Sequence, residues 1–593
     1  MIWLNLFQRY NYLYAGLLLY SSQGKTIMKR SSTKSIVLTK LIYIIFVVTS
    51  PARQIKNQLE SLMRHFYHAS KVMSALFMLT SLTLTAQEDK PDWQNGVPEG
   101  CTTITVGKQA TFDGSVMTSH TDDSHRTRSW MNIVEEERHG RRDDVTMYKR
   151  EKDDSGPMPA YKHTPVGKIP QVRETYGFIN TAYPCMNTQQ LAIGESTFGG
   201  RESLKSDEGL IDCQRLIRLM LERCTTARDA IKTGGKLLKK YGWRDAGECL
   251  TIADTKEVWH MEIVGPGKGE VGAIWVAQRV PDDEVSVNAN AARIQEVDLQ
   301  NQKNFLASEN ILEVARDSMW WNQATGPFRF ADAYAPESRE SMAARRREWR
   351  VLSMMNPSLD LDPEARDYPF SVKPAKKVTL DKMIDIFKDY YKGTPYDMVG
   401  HLKKVTEEGD TIPHPMASPF MPYDAYDLFY IYCGWGDLGE RTIARWYTMY
   451  ATITQSRDWL PNELGGLVWL AQDNVATSVY IPVYCSVTEL PASYRHHGRN
   501  GFSRQSAWWA FNRLSTLASQ RWNDMRHDVD SVMVPLQQEI FESQRQAERE
   551  AMSMRTKHTI DHLTRFTNKW GNRVVNEAWN LGDFLWTKYD EKF

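Results

Sequence analysis

Cysteine is scarce in this chain of 593 residues, and its thiols follow no familiar metal-binding or disulfide pattern. No two of the seven cysteines make a CxxC pair; they are Cys101, Cys185, Cys213, Cys224, Cys249, Cys433 and Cys485. This spacing argues against a structural zinc site and against a dense disulfide scaffold. Because the number is odd, at least one thiol stays unpaired even if all the others pair.

Net charge is also lacking, since 73 Lys and Arg residues balance 73 Asp and Glu residues. No overall field therefore favours a nucleic acid or an acidic membrane surface as partner. Neither His496-His497 nor the pair His120 and His125 belongs to an HExxH motif or has an acidic residue at ligand spacing. We therefore predict no bound metal and no cofactor.

The segment before residue 101 has the composition of a targeting region. Basic residues follow Met63, an apolar run occupies residues 72–84, and a small-residue site ends at Ala86, which together predict a secretory signal over 63–86. The run is shorter than the ~20 apolar residues that span a bilayer. We expect an exported protein, periplasmic or extracellular, with no stable membrane partner in its mature form.

Two further stretches flank this predicted signal. Residues 87–100 are polar, contain Pro and Gly, and predict a linker or propeptide. Residues 1–62 contain another apolar stretch, from Ile36 to Val48. They can be interpreted as a membrane anchor or as an upstream extension that is not native, with translation starting at Met63 or Met73, and we favour the extension.

The texture changes at Cys101, where a β-branched run, CTTITV, predicts a strand. Turn signals at Asp113-Gly114 and a second strand-like run from Ser115 to Thr118 predict a hairpin. A cysteine at a new chain terminus would carry both a nucleophilic thiol and an α-amine whose pKa of about 7.7–8.0 suits a base. The alternative is a buried strand cysteine with no chemical role.

Six ordered blocks stand out along the chain. They are CTTITVGKQATFDGSVMTSHTDDSH from residue 101, NTQQLAIGESTFGG (187–200), ECLTIADTKEVWHMEIVGPGKGEVGAIWVAQRVPDDEVSVNANAARI (248–294), HPMASPF (414–420), DNVATSVYIPVYCSVTELPASY (473–494) and SAWWAFNRLSTLASQRWNDM (506–525). Together they resemble the C69 family of dipeptidases, N-terminal-nucleophile (Ntn) hydrolases that are distantly related to bile salt hydrolases and penicillin V acylases. The resemblance covers about residues 101–545.

The resemblance implies catalytic roles for three residues. Cys101 is the nucleophile, Asp123 matches the acid that orients the α-amine, and Asn290 matches the asparagine that holds the oxyanion. Each also has a plain structural interpretation, because Asp123 can belong to an acidic turn and Asn290 can be a turn residue.

The resemblance also implies substrate-binding roles. His120 stands where many relatives have Arg, and Asn288 shares a strand face with Asn290. Glu195 and Ser196 would line the pocket and meet the substrate's α-amine, although an ordinary turn after a strand explains them as well. Arg347 would bear on the thiol or on a substrate carboxylate, and its alternative is a solvated basic helix face.

Periodicity along the rest of the chain predicts an α+β fold. Amphipathic helical spacing occurs at 213–241 and 380–391, and the tail from 536 to 590 is helical in pattern. Charged or proline-containing residues at 136–170 and 336–375 predict surface excursions. The resemblance implies the sharper form, an Ntn αββα four-layer sandwich with a helical C-terminal part over 101–593.

These observations lead to one favoured function and two competitors. The favoured function is a cysteine dipeptidase that acts on free dipeptides. We expect no nucleic-acid partner, and a homo-oligomer is a possible assembly. The first competitor is an amidase or acylase of non-peptide amides, and the second is a non-catalytic surface protein on the same fold.

Overall fold

The computed structural model describes residues 100–127, 130–400, 402–420 and 440–591. The predicted upstream extension (1–62), signal (63–86) and all but the last residue of the linker (87–100) lie outside these ranges. None of the helices within them combines the length and the apolar character that a membrane crossing requires.

Two large antiparallel sheets form the centre of the described chain. The strands are β1 Gly100–Val106, β2 Val116–Asp123, β3 Asn132–Val134, β4 Glu137–Arg138, β5 Asp144–Asp153, β6 Ala160–Pro170, β7 Glu174–Thr175, β8 Phe178–Asn180, β9 Met186–Asn187, β10 Ala192–Gly199, β11 Gly247–Ala253, β12 Val258–Val264, β13 Ile274–Val280, β14 Val285–Asn288, β15 Phe305–Ala307, β16 Ser371–Val372, β17 Lys403–Val405, β18 Thr411–Pro413, β19 Thr448–Ser456, β20 Gly466–Gln472 and β21 Ile481–Tyr484. The first sheet has the order β16-β14-β1-β2-β19-β20-β21, and the second has the order β15-β13-β12-β11-β10-β9-β8-β3.

The helices of the described chain lie mostly in its middle and at its C-terminal end. They are α1 Cys213–Arg223, α2 Ala227–Tyr241, α3 Ile311–Asp317, α4 Phe330–Tyr334, α5 Met342–Met355, α6 Leu380–Phe387, α7 Asn462–Gly465, α8 Ala492–Arg495, α9 Ala507–Gln520, α10 Trp522–Ala551 and α11 Thr556–Lys588. The predicted helix over 213–241 is two helices, because Thr226 begins α2 by accepting a hydrogen bond from the Asp229 backbone N–H.

The two sheets face each other through polar side chains. Thr118 Oγ1 of β2 lies 2.7 Å from Thr251 Oγ1 of β11, and Thr105 Oγ1 of β1 lies 2.9 Å from His260 Nε2 of β12. Since side chains alternate along a strand, Cys101 shares the face of Thr105. The nucleophile candidate therefore points towards the second sheet.

Helices cover the outer face of each sheet. Helices α1 and α2 form one apolar core with β10 to β13, and α9 to α11 form another with the first sheet. The α+β prediction, the helical C-terminal part and the hairpin of β1 and β2 are confirmed.

One expectation about the surface is wrong. Residues 336–375 contain α5, which packs on β14 and buries Arg346, Arg347 and Glu348. A run of charges predicts a solvated face only when the charges have no buried partners, and these three have partners inside the protein.

Candidate active site

Cys101 lies in β1 between β14 and β2, opposite Asp122 in the strand register. Its side chain is buried, and Sγ donates a hydrogen bond of 2.9 Å to Glu195 Oε1. Its backbone nitrogen donates to Asn290 Oδ1 at 3.0 Å. Both atoms that a terminal cysteine would use in catalysis, the thiol and the nitrogen, are thus already positioned by residues from other strands or loops.

The residue before Cys101 has no room for a side chain. A Cβ on Gly100 would lie 2.4 Å from Asn290 Oδ1 and 3.0 Å from Asn290 Cγ. Only glycine permits this close approach, so the hydrogen bond from Cys101 N to Asn290 depends on the glycine that precedes it.

Glu195 and His120 meet at the thiol from opposite sheets. Glu195 is a buried residue of β10 rather than part of a turn, and His120 Nε2 of β2 lies 3.0 Å from Glu195 Oε1. The His120 ring is held edge-on by Tyr183 and Tyr450, at centroid distances of 5.4 and 5.6 Å. The histidine that stands in place of an expected arginine therefore contacts the same carboxylate oxygen as the thiol.

Asn290 lies just after β14 with φ of 67°, a left-handed conformation that asparagine tolerates better than most residues. Its Nδ2 donates to Thr197 O at 2.6 Å, and its backbone N–H donates to Ser196 Oγ at 3.0 Å. Asn288 shapes this loop, since its side chain accepts from Asn290 N at 3.2 Å and donates to Ala291 O at 2.9 Å. In this state Asn290 orients the Cys101 nitrogen, and its oxyanion role stays a prediction.

Arg347 is fully engaged with Cys101 and its neighbours. A guanidinium group has five N–H donors, and each of them has an acceptor at 2.9–3.0 Å. The acceptors are the carbonyl oxygens of Cys101, Ala289 and Ala343, Thr102 Oγ1 and Asn290 Oδ1. The guanidinium therefore contacts the carbonyl oxygen of Cys101 rather than its thiol, all five N–H groups are occupied here, and the roles of Arg347 towards the thiol and a substrate carboxylate stay predictions.

Asp123 lies on the other face of β2. Its carboxylate accepts from Thr448 Oγ1 at 2.6 Å and pairs with Arg441. The acceptor of the Cys101 N–H is Asn290 instead, so the role of Asp123 in orienting a free α-amine stays a prediction. Asp122, which shares the face of Cys101, accepts from Thr127 Oγ1 at 2.5 Å.

A second buried carboxyl group, Glu248, lies beside Glu195. Burial and the Glu195 charge raise the pKa of Glu248 well above its usual value. Burial opposes ionisation of Glu195 too, but hydrogen bonds from His120 and Cys101 bring its pKa below the ordinary value. We infer an ionised Glu195 beside a neutral Glu248, because two adjacent buried carboxyls do not both ionise.

The same surroundings control the thiol. Burial first, and then the Glu195 charge, raise the pKa of Cys101 in this uncleaved chain. Burial also raises the pKa of Asp122 to about 7. The site therefore favours a neutral thiol while the segment before Cys101 is still attached.

Two sets of side chains in the described ranges have ligand atoms within 4.8 Å of one another, as a metal ion would require. They are Cys101, His120 and Glu195, and Glu195, Cys213 and Glu248. Spacing along the sequence did not reveal these sets, because their members come from different strands and a helix. Glu248 and Asp122 were also missed, although strand alternation places Asp122 on the face of His120.

Comparisons with known proteins relate this chain to peptidases. The model of peptidase family C69 matches residues 100–534. A probable dipeptidase of Latilactobacillus sakei is 24% identical over 444 residues, which cover 72% of this chain and 83% of that protein. Dipeptidase A of Lactobacillus helveticus is 21% identical over 492 residues, covering 81% of this chain and 95% of that protein.

The match identifies the class of protein as a peptidase. The chain belongs to peptidase family C69, and the resemblance predicted from its ordered blocks is confirmed.

Proposed function

We propose that this protein is a cysteine dipeptidase whose nucleophile is Cys101 once the preceding segment is removed. The observation that carries the proposal is that three atoms of Cys101, its sulfur, nitrogen and carbonyl oxygen, are all held by hydrogen bonds. Glu195 accepts from the thiol, Asn290 accepts from the nitrogen, and Arg347 donates to the carbonyl oxygen. The relatives named dipeptidases supply the substrate class.

The chemistry follows from a terminal cysteine. The α-amine takes the thiol proton, the thiolate sulfur attacks the peptide carbonyl carbon, and a tetrahedral oxyanion forms. The oxyanion collapses to a thioester as the C–N bond breaks, and the leaving amine receives the proton. Water then attacks the thioester, releases the first amino acid and restores the thiol.

Two positioned groups support these steps. The Asn290 side chain has a second Nδ2 proton besides the one given to Thr197 O, and we assign it to the oxyanion. The Glu195 carboxylate lies where it could meet the ammonium group of a free dipeptide, which would restrict the enzyme to short substrates.

The Ntn αββα sandwich is the fold we propose for this chemistry. Helices on the outer faces of two facing antiparallel sheets are consistent with it. The pattern over residues 63–86 supports export to the periplasm or beyond, and we propose no nucleic-acid or membrane partner for the mature protein.

The test begins with the mass of the purified protein, which we expect to start at Cys101. Free dipeptides should be hydrolysed, Cys101→Ser should lose most of the activity, and Cys101→Ala should lose all of it. Activity in Cys101→Ala, or indifference to thiol alkylation, would rule the mechanism out.

A substrate panel separates the competing functions. Hydrolysis of acylated amines or bile-salt-like conjugates without hydrolysis of dipeptides would indicate an amidase or acylase. A purified protein that keeps residues 87–100 has a blocked α-amine, and it would indicate a non-catalytic protein.

A further inference from the structure

A cavity of about 330 Å³ lies just beyond the end of β2, with Arg126 and Thr127 in its wall. Five arginines line it, and no acidic side chain does among the described residues of its wall. The arginines are Arg126, Arg150, Arg215, Arg218 and Arg499. Its volume is within the range of small-molecule sites, and the formal charges carried by the side chains of its wall are positive.

Short contacts connect this arginine cavity to the catalytic residues. Thr127, in the cavity wall, donates to Asp122, which lies opposite Cys101 in the strand register. Tyr183 forms the second connection. Its hydroxyl accepts from Arg150 Nη1 at 2.7 Å, and its ring contacts His120 at a centroid distance of 5.4 Å.

A dipeptide spans about 7 Å when extended. A single tyrosine ring separates Arg150 from the histidine that contacts Glu195. For a substrate whose peptide bond lies at Cys101, reaching the arginine cavity with its other end means passing the Tyr183 ring.

Four of the five arginines pair with acids that lie outside the cavity wall: Arg126 with Asp154, Arg150 with Asp245, Arg215 with Asp212 and Arg218 with Glu222. Arg218 is half exposed and uses only Nε for Glu222, so its two terminal nitrogens have no other partner among the described residues. Arg499 is exposed and makes no ion pair in the described ranges, although its charge acts on Asp153 nearby. His163, in the same wall, has its pKa lowered to about 4 by burial and by Arg215, as expected in a positive field.

A carboxylate is the group that such a wall recognises best, because the planar guanidinium binds it bidentately. Arg347, the arginine nearest the nucleophile, has all five of its donors occupied here. We propose that the arginine cavity binds a carboxylate on the leaving-group residue of the substrate, and so selects dipeptides by negative charge at that end. The proposal rests on the proposed dipeptidase function.

Two pairs of peptides distinguish the sources of the carboxylate. Alanyl-glutamate against alanyl-glutamine tests a side-chain carboxylate, and alanyl-alanine against alanyl-alaninamide tests the terminal one. In each pair we compare kcat/KM for the unmodified protein, the double variant Arg218→Gln/Arg499→Gln, and Arg573→Gln. Arg573 is an exposed residue of α11 outside the cavity and serves as the matched control.

We expect the carboxylate member of at least one pair to be preferred, and the double variant to reduce that preference about tenfold, mainly through KM. Arg573→Gln should keep the preference. An unchanged preference in the double variant, or no preference in either pair, would overturn the proposal.

Binding to the inactive Cys101→Ala protein, measured by calorimetry, separates this proposal from the proposed function. Tighter binding of the carboxylate peptides, lost in the double variant, would support the cavity even if no dipeptide were cleaved. Equal binding of carboxylate and amide peptides would overturn the cavity even if the protein proved to be a dipeptidase.

Discussion

Replacing Glu195 by glutamine should make Cys101 easier to alkylate while it lowers catalytic activity. Glutamine keeps the shape and the acceptor atom that lies 2.9 Å from Cys101 Sγ, but it removes the negative charge. Two unit charges about 4 Å apart repel by about 4 kcal/mol at an effective dielectric constant of about 20. Even after relaxation, the thiolate should become easier to form, and alkylation at pH 7 should accelerate at least about tenfold.

Activity should change in the opposite direction, because Glu195 also holds His120 and is the group we assign to the substrate ammonium. The assay is reaction of the processed protein with iodoacetamide, followed at the Cys101 peptide by mass spectrometry. Glu248→Gln is the matched control, since burial and the Glu195 charge already keep Glu248 neutral. Equal or slower alkylation of Glu195→Gln would refute the assigned electrostatics.

Two further substitutions test other parts of the site. Arg347→Lys retains a cation but has three donors in place of five, so at least two buried acceptors lose their hydrogen bond from residue 347. Urea denaturation should show that the free energy of unfolding falls by about 2–4 kcal/mol. Unchanged stability would contradict the hydrogen bonding described for Arg347. Asp122 has its pKa raised to about 7 by burial. Between about pH 4 and 7 the folded protein therefore keeps a proton that the unfolded chain has lost, so the contribution of Asp122 to stability falls as pH rises through that range. Asp122→Asn lacks this fall and should gain about 2–4 kcal/mol relative to the unmodified protein between pH 5 and pH 8, whereas parallel pH profiles would contradict the raised pKa.

Local sequence was enough to predict the strand that carries Cys101, its hairpin with β2, and the helical C-terminal part. These features depend on turn residues, β-branched runs and apolar periodicity within a few neighbours. The ordered blocks also predicted the peptidase family, because each block preserves residue types at fixed spacing.

The surroundings of those residues were decided by contacts between distant parts of the chain. Arg347 belongs to a charged run, and the sequence did not reveal its burial because its partner Thr102 lies 245 positions away. Alternation predicts which residues of β2 share a face, but it does not say which sheet that face meets. The structure shows that the Asp123 side chain contacts Arg441 and Thr448 and points away from the thiol.

The arginine cavity is another product of tertiary structure alone. Its arginines come from segments around residues 126, 150, 215–218 and 499, which share no motif. Residue type and spacing determine a strand, a turn and the match to a family, since these depend on near neighbours. The polarity of a cavity depends on which sheet edge, hairpin and helix end meet, and that was decided by the packing of the two sheets and their helices.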